Sequence, residues 1–341
     1  MRVPGKLALA ATVLVAMHAA AVGAGFLAPY GPTEQARALP YAPPTRLHVV
    51  DDAGRLHLRP FVYALVDDEA VAGHYKEDRS QAFPIHFFAR GPDELGGAQG
   101  GRRLFGVDEP ARVFLLGSDG FGRDQLSRLL HGARISLFAG LLATVLSLGL
   151  GWVLGTAAGF YGRWTDAILM RAADVFLALP WLYLLFAVRA ALPLHVSAAQ
   201  AFLMLVLVIG LVDWARPARL VRGVVLSARE RNYVRAARGF GATDLYLIRR
   251  HIAPQTLGLL LTQAALLVPQ YILAEVTLSF LGLGVGEPVP SWGNMLAALQ
   301  RYHVLASYWW MWAPGLALVP VFLSYFALSE ALHSRVGPAS P

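Results

Sequence analysis

Residues able to do covalent or redox chemistry are few in this chain, and they do not converge. There is no cysteine, which excludes a disulfide, a thiolate metal site and a cysteine nucleophile. The histidines outside residues 29–118, His18, His131, His195, His251, His303 and His333, are scattered, and none stands in an H-E-x-x-H or comparable ligand spacing. No G-x-x-x-x-G-K-[ST] phosphate loop occurs, and the GLGVGEP run is not one. The apolar segments hold no Gly-x-Ser-x-Gly nucleophile with a partnered histidine. The residue types therefore predict no catalytic residue, no bound cofactor and no metal site.

What remains is electrostatic. Ionisable groups inside apolar segments are costly, so each invites a functional role and a structural alternative. Glu275 lines a pathway, or makes an interhelical hydrogen bond that moves during gating, or makes a static structural hydrogen bond. Asp174 and Arg171 are spaced to pair on one helix face, and Asp213 with Arg216 reads the same way. Arg189 can snorkel its guanidinium to an interface. Trp152, Trp181, Trp309, Trp310 and Trp312 read as interfacial or packing aromatics.

The elements that must position these groups are membrane helices. Of 341 residues, 56% are hydrophobic and only 15% charged, against roughly a quarter in soluble domains. Residues 7–28 form an apolar run behind Arg2 and Lys6. A cleaved leader and a first span both fit; the length favours an uncleaved anchor, so residues 1–28 are assigned as an N-terminal transmembrane anchor. Residues 29–118 look soluble and mostly β, with a hairpin around Asp51-Asp52-Ala53-Gly54, a short strand in FPIHFFARG and a loop in GPDELGGAQGGRR. Residues 119–335 carry the remaining spans. An amphipathic lead-in reaches a second span at 136–161, a third at 167–192 kinks at Pro180, and a fourth covers 198–214. The fifth covers 257–283 and the last 309–332. The fold class expected is an all-α polytopic membrane protein of six transmembrane helices with a small, mostly β extracytoplasmic insertion.

Residues 216–251 carry nine arginines against two acids, Glu230 and Asp244. This concentration explains the net charge of +7 without nucleic acid and places the loop in the cytoplasm. Counting spans from there puts both termini inside and residues 29–118 and 284–294 outside. Within 227–254, Ser227 and Glu230 fit a capping box, predicting a helix over 228–238. Gly239 suits the left-handed position after it, with Gly241 in the same turn. Thr243 caps a second helix with Asp244 in its first turn, Arg249, Arg250 and His251 in its last, and Pro254 at its end. The small Ala236 and Ala237 allow close approach of another surface. The elbow is apolar through Tyr233, Leu245, Tyr246 and Ile248 and cationic elsewhere. Charge and periodicity alone fit an ordinary helical cytoplasmic loop equally well.

The run YVRAARGFGATDLYLIRRHIAP resembles the signature cytoplasmic loop of ABC importer permeases: Glu-Ala-Ala, three residues, Gly, nine residues, then Ile-x-Leu-Pro. Ala236, Ala237, Gly241 and Pro254 fall at the matching places; Arg235, His251 and Ala253 depart from it. GSDGFGRDQLSRLLHGARISL and ILAEVTLSFLGLGVGEPVPSWGNML resemble two further segments of the dipeptide/oligopeptide-type permeases. The resemblance covers about residues 116–334 and leaves the insertion unaccounted for. It implies a type I ABC importer permease in the bacterial inner membrane. That protein pairs with a second permease, the heterodimer being favoured, and with cytoplasmic ATPases that hold the ATP and an extracytoplasmic substrate-binding protein. It implies that the elbow is the coupling helix, with Tyr233, Arg235, Ala236, Ala237, Gly239, Gly241, Asp244 and Pro254 at the ATPase contact. It implies gating or binding-protein contact for Glu275, Pro290, Trp292 and Gly293. An intramembrane enzyme would need paired catalytic groups on facing spans, and a passive channel would need no capped elbow. The cargo, peptide or another small solute, is not legible.

Overall fold

The computed structural model describes residues 3–51, 54–68, 74–89, 101–193 and 196–336. Helix α1 (Val3–Val22) and a single turn, α2 (Ala24–Leu27), precede, among the described residues, five strands: β1 (His48–Val50), β2 (Leu56–Asp67), β3 (Tyr75–Pro84), β4 (His86–Phe87) and β5 (Phe105–Gly106). The helices α3 (Gln125–Tyr161), α4 (Arg163–Ala178), α5 (Trp181–Ala191), α6 (Ala198–Val212), α7 (Ala215–Arg229), α8 (Asn232–Gly239) and α9 (Asp244–Leu247) follow. A π-helical turn (Ile248–Ile252) leads into α10 (Ala253–Phe280), and α11 (Trp292–Ala297), α12 (Tyr302–Ser307) and α13 (Ala313–Val336) complete the chain. Among the described residues, four helical segments are long and apolar enough to cross a membrane, and six are if each of two bent pairs counts as one span. The expected loop at 91–103 and His195 fall largely or wholly outside the described residues, as does the tip of the hairpin at Asp52 and Ala53.

The chain divides into two compact units. One comprises Met1–Leu14, Leu137–Leu278 and Pro320–Pro341, the other Val15–Ser136 and Ser279–Val319. In the first, α3 carries glycines at 151, 155 and 159, four residues apart and so on one helical face. A Cβ at these positions would meet the Pro217 Cβ at 2.6 Å, the Val221 Cβ at 3.0 Å and the Val225 Cβ at 2.9 Å. Glycine here lets α7 lie directly on α3, the small-residue solution to helix packing in lipid. Val221, Val225 and Ala228 of α7 are correspondingly buried.

The expected kink at Pro180 is instead a corner: α4 and α5 meet at 91°. Pro180 cannot continue a helix and forces Leu179 into extended backbone (φ −85°, ψ 139°), so α4 stops and α5 restarts at Trp181. The fourth span is likewise only the upstream arm of a pair, α6 and α7, bent by 45° around Asp213 and Trp214. The second span starts earlier than expected, since its amphipathic lead-in and apolar run form the single helix α3. The last span, Trp309–Leu332, coincides with the expected one.

In the second unit, β1, β2 and β3 form an antiparallel sheet in that order, with His48 opposite Phe61 and Tyr63 opposite Ala82. Phe61, Val62 and Tyr63 are buried in succession. A core of Tyr30, Leu39, Val62, Phe83, Ile85, Val113 and Phe114 gathers around one face of this sheet. β4 and β5 pair separately.

Candidate functional site: the basic elbow and the polar junctions

The first helix of the elbow starts at Asn232, four residues after the expected start at Ala228. Ser227 is not an N-cap; it lies exposed inside α7, which continues to Arg229 because its buried stripe Val221, Val225 and Ala228 extends that far. The next helix begins at Asn232, behind Arg231 in extended backbone and without a side-chain cap. Tertiary burial overrides a local capping signal worth only about 1 kcal/mol. Gly239 is the last residue of α8, and the left-handed position is Gly241 (φ +86°). The Gly241 amide donates to the Arg238 carbonyl (3.0 Å) and the Ala242 amide to that of Ala237 (3.1 Å), the paired bonds of a Schellman motif.

Thr243 accepts from the Tyr246 amide and Asp244 sits in the first turn of α9, as expected. Pro254, however, does not end the second helix. α9 runs without interruption through the π turn into α10, and Arg249, Arg250 and His251 lie inside that turn. A proline lacks the amide that an α-helix needs one turn on; the backbone widens just before it, with the Ala253 amide reaching back five residues to Ile248.

This geometry sorts the elbow's side chains. Val234, Leu247 and Ile252 are buried with Phe160, Val221 and Val225, anchoring the elbow from beneath. Phe240, held between the two glycines, is 93% exposed, and Tyr233, Leu245 and Tyr246 are exposed beside it. His251 lies between the Tyr233 and Tyr246 rings, 5.7 Å from each. The Gln255 amide donates to the Tyr233 hydroxyl. Sequence reasoning missed Phe240; an aromatic residue between glycines was the available signal.

Five of the loop's arginines have protein partners beyond any role in topology. Arg235, at the place of the resembled glutamate, pairs with Glu230 and holds that carboxyl below its usual range. Arg238 spans the break to Asp244 (3.7 Å). Arg229 donates to the Gly159 carbonyl (2.8 Å) at the end of α3, where helices favour cations. Arg222 forks onto Asp166 of α4 (2.5 and 2.6 Å). Arg219 pairs with Asp174, so the partner of Asp174 is not Arg171. A same-helix pairing misses this because α4 and α7 pack together.

Asp213 is also partnered differently from expectation. Its carboxylate accepts from the Tyr271 hydroxyl of α10 (3.0 Å), which lies 2.9 Å from Ser147 Oγ of α3. Ser147 Oγ also lies 3.1 Å from the Asp213 carbonyl, and all three residues are buried. Arg189 does not snorkel. It is 1% exposed, with Nη1 donating to the Pro193 carbonyl (3.2 Å). Glu275 is wholly buried, one helical turn beyond Tyr271.

In the second unit, the Gly/Pro-rich connection ends in a capped helix. Ser291 and Asn294 form a reciprocal capping box for α11. Pro290, Trp292 and Gly293 are buried. The Trp292 amide donates to Ser136 Oγ (3.1 Å) and its indole to the Leu129 carbonyl (3.0 Å). A four-charge cluster lies in the same unit: Arg123 reaches Asp119 (2.7 Å) and Glu287 (2.6 Å), and Arg128 reaches Glu287 (2.9 Å). Asp124, beside it, accepts from the Ser127 amide (2.7 Å) and hydroxyl (2.6 Å). Burial nevertheless pushes its carboxyl up to about 7.

Long apolar helices joined through an exposed helical elbow suit a membrane transport subunit. The family described as "binding-protein-dependent transport system inner membrane component" matches residues 149–338. The chain belongs to that family and is a membrane-embedded permease subunit of an ABC importer, with ATP hydrolysis carried by separate subunits and substrate brought by a binding protein. A Brucella ovis protein named as a peptide permease is 38% identical over 230 residues, 67% of this chain and 74% of that one. A Brucella suis protein named as a peptide transport system permease is 40% identical over 230 residues, 67% of this chain and 75% of that one. The di/tripeptide transport system permease protein DppC of Pseudomonas aeruginosa is 39% identical over 226 residues, 66% of this chain and 72% of that one. Among solved structures, the inward-facing MetNI methionine ABC transporter is similar at a TM-score of 0.44 and 16% identity, covering 60% of this chain and 95% of that one.

Proposed function

We propose that this permease imports short peptides or a similar small solute, and that the segment from Glu230 to Ile252 is where an ATPase subunit docks. One observation carries the docking site: an elbow pinned from below by Val234, Leu247 and Ile252 presents Phe240, Tyr233, Leu245 and Tyr246 outward. Large apolar and aromatic groups held on a rigid, capped turn are what a complementary groove can grip. Motion of a docked ATPase would pass through α8 into α7 and through the unbroken α9–α10 rod. Tyr233, Arg235, Ala236, Ala237, Gly239, Gly241, Asp244 and Pro254 form or shape this contact, and the chain itself binds no ATP.

Six spans result when each bent pair is one crossing. The elbow then lies in the cytoplasm with both termini, and the β region of 29–118 and the segment of Pro290, Trp292 and Gly293 lie outside, where the binding protein delivers cargo. The peptide assignment rests on the names of the relatives. A second permease, favoured as a different chain, completes the pathway, and Glu275 serves its gating through a buried hydrogen bond.

The test replaces Phe240 and Tyr246 by aspartate in the assembled transporter. Capture of the ATPase and substrate-stimulated hydrolysis should fall at least tenfold, with the permease still folded in detergent. Undiminished hydrolysis and uptake would refute docking at this elbow. Uptake of labelled dipeptide, with the binding protein present, tests the cargo separately.

A further inference from the structure

Pro290, Trp292 and Gly293 are buried in the fold, so none of them can touch a docked partner directly. In the same unit, the turn before α3 presents a side chain that can. Phe121 stands between Gly120 and Gly122, as Phe240 stands between Gly239 and Gly241, and it is 60% exposed. The Gly122 amide closes the turn by donating to the Asp119 carbonyl (2.9 Å). The Asp119 carboxylate accepts from the amides of Phe121 (2.8 Å) and Arg123 (3.0 Å).

The insertion supports this turn from within. The Ala36 amide donates to the Gly122 carbonyl (3.0 Å), and the Tyr41 amide to that of Asp119 (2.9 Å). A Cβ on Gly122, where φ is +71°, would stand 1.9 Å from the Ala36 carbonyl oxygen, and one on Gly120 2.6 Å from the Tyr41 hydroxyl. Glycine on both sides therefore lets the backbone be gripped closely while the Phe121 ring faces out.

The ring is held from the side as well. The buried Arg123 places its guanidinium 4.7 Å from the ring centroid and donates to Glu287 (2.6 Å), whose side chain is 47% exposed. Aromatic rings are enriched where proteins meet, and one already ordered by its surroundings loses little freedom on docking. The half-exposed carboxylate one guanidinium away keeps this face in water rather than among acyl chains.

We infer that Phe121, with Glu287 at its edge, is the docking contact for the extracytoplasmic substrate-binding protein. The ring enters an apolar pocket of that protein, whose rim donates to the Glu287 carboxylate. With the orientation proposed above the turn faces outward, and the contact rests on that reading. Glu287 belongs to the connection that ends at Trp292, so a docked partner bears on that segment through Glu287 and Arg123.

The chain has no cysteine, so Phe121→Cys puts a single thiol on the turn. The assembled transporter carrying it, in nanodiscs, is treated with a polar, membrane-impermeant maleimide, and labelling of this chain is followed by mass. Saturating peptide-loaded binding protein of the same transport system should slow that labelling about tenfold. In a second arm, F121D should raise about tenfold the concentration of binding protein that half-maximally stimulates ATP hydrolysis. Phe121 is exposed, so neither change removes a buried contact, and the unfolding temperature checks this. Equal labelling with and without binding protein, or an unshifted half-saturation in F121D, would overturn the docking contact and leave the permease reading intact. Labelling in detergent but not in nanodiscs would assign the ring to lipid and overturn it too. A wild-type transporter that the binding protein does not stimulate would overturn the permease reading and the docking contact together.

Discussion

Tyr271 of α10 donates its hydroxyl to Asp213 across 3.0 Å at the corner where α6 turns into α7, with Ser147 of α3 2.9 Å from the same hydroxyl. Three helices are thus joined through one buried polar cluster. Tyr271→Phe leaves the carboxylate short of its donor and should destabilise the protein by about 1–2 kcal/mol. Thermal unfolding of the detergent-solubilised permease reads this. Ser147→Ala should cost less, because Asp213 keeps the tyrosine.

The glycine face of α3 separates packing from propensity. Gly155→Leu drives its side chain into Val221, whose Cβ already stands 3.0 Å from a bare Cβ, and should cost about 1–3 kcal/mol or displace α7. Gly223→Ala, on α7 with nothing within 4 Å of an added Cβ, should be neutral or stabilising by up to about 1 kcal/mol. Equal unfolding temperatures for the two variants would show that the α3–α7 contact is looser than described.

The two elbow glycines should respond oppositely to alanine. Gly241 has φ +86°, where an L side chain is strained, so Gly241→Ala should loosen the turn by about 1 kcal/mol. Gly239 is helical with open space around it, and Gly239→Ala should tighten α8. Limited proteolysis at the Phe240 turn, faster in the first variant and slower in the second, is the expected pattern.

Asp124 carries a pH dependence of definite sign. Burial raises its folded-state pKa to about 7 from an ordinary 3.8, so the folded protein holds a proton that the unfolded chain gives up. The stabilisation is complete below about pH 4, declines as pH rises, and is gone above about pH 7. Asp124→Asn should therefore flatten the fall in unfolding temperature across that interval. An unchanged slope would mean that the carboxyl is ionised in the fold.

Much of this architecture was legible from local chemistry. Apolar length fixes where α1, α3, α10 and α13 lie, because lipid demands long, internally bonded helices. Turn chemistry signalled the β1–β2 hairpin, and Thr243 and Asp244 marked the start of α9. The elbow itself was recognisable through the family resemblance that Ala236, Ala237, Gly241 and Pro254 carry. Its register was not. Ser227 and Gly239 each satisfy a local rule, but the α7 stripe buried against α3 carries that helix past Ser227 and moves the left-handed turn to Gly241.

Pairing was the least legible feature. Arg171 and Arg216 are the near neighbours of Asp174 and Asp213 in sequence, yet the chain joins Asp174 to Arg219 and Asp213 to Tyr271. Arg128 and Glu287, 159 residues apart, meet in the same way. Hydrophobic length is a local constraint, so the order of the long helices follows from residue types; their breaks follow only in part, since Pro254 lies inside a continuous helix while α6 bends into α7 at Asp213 and Trp214. Which charges meet, and which aromatic side chain is left facing outward at Phe240, depends on how helices distant in sequence stack. That is a property of close packing between faces, and no local pattern carries it.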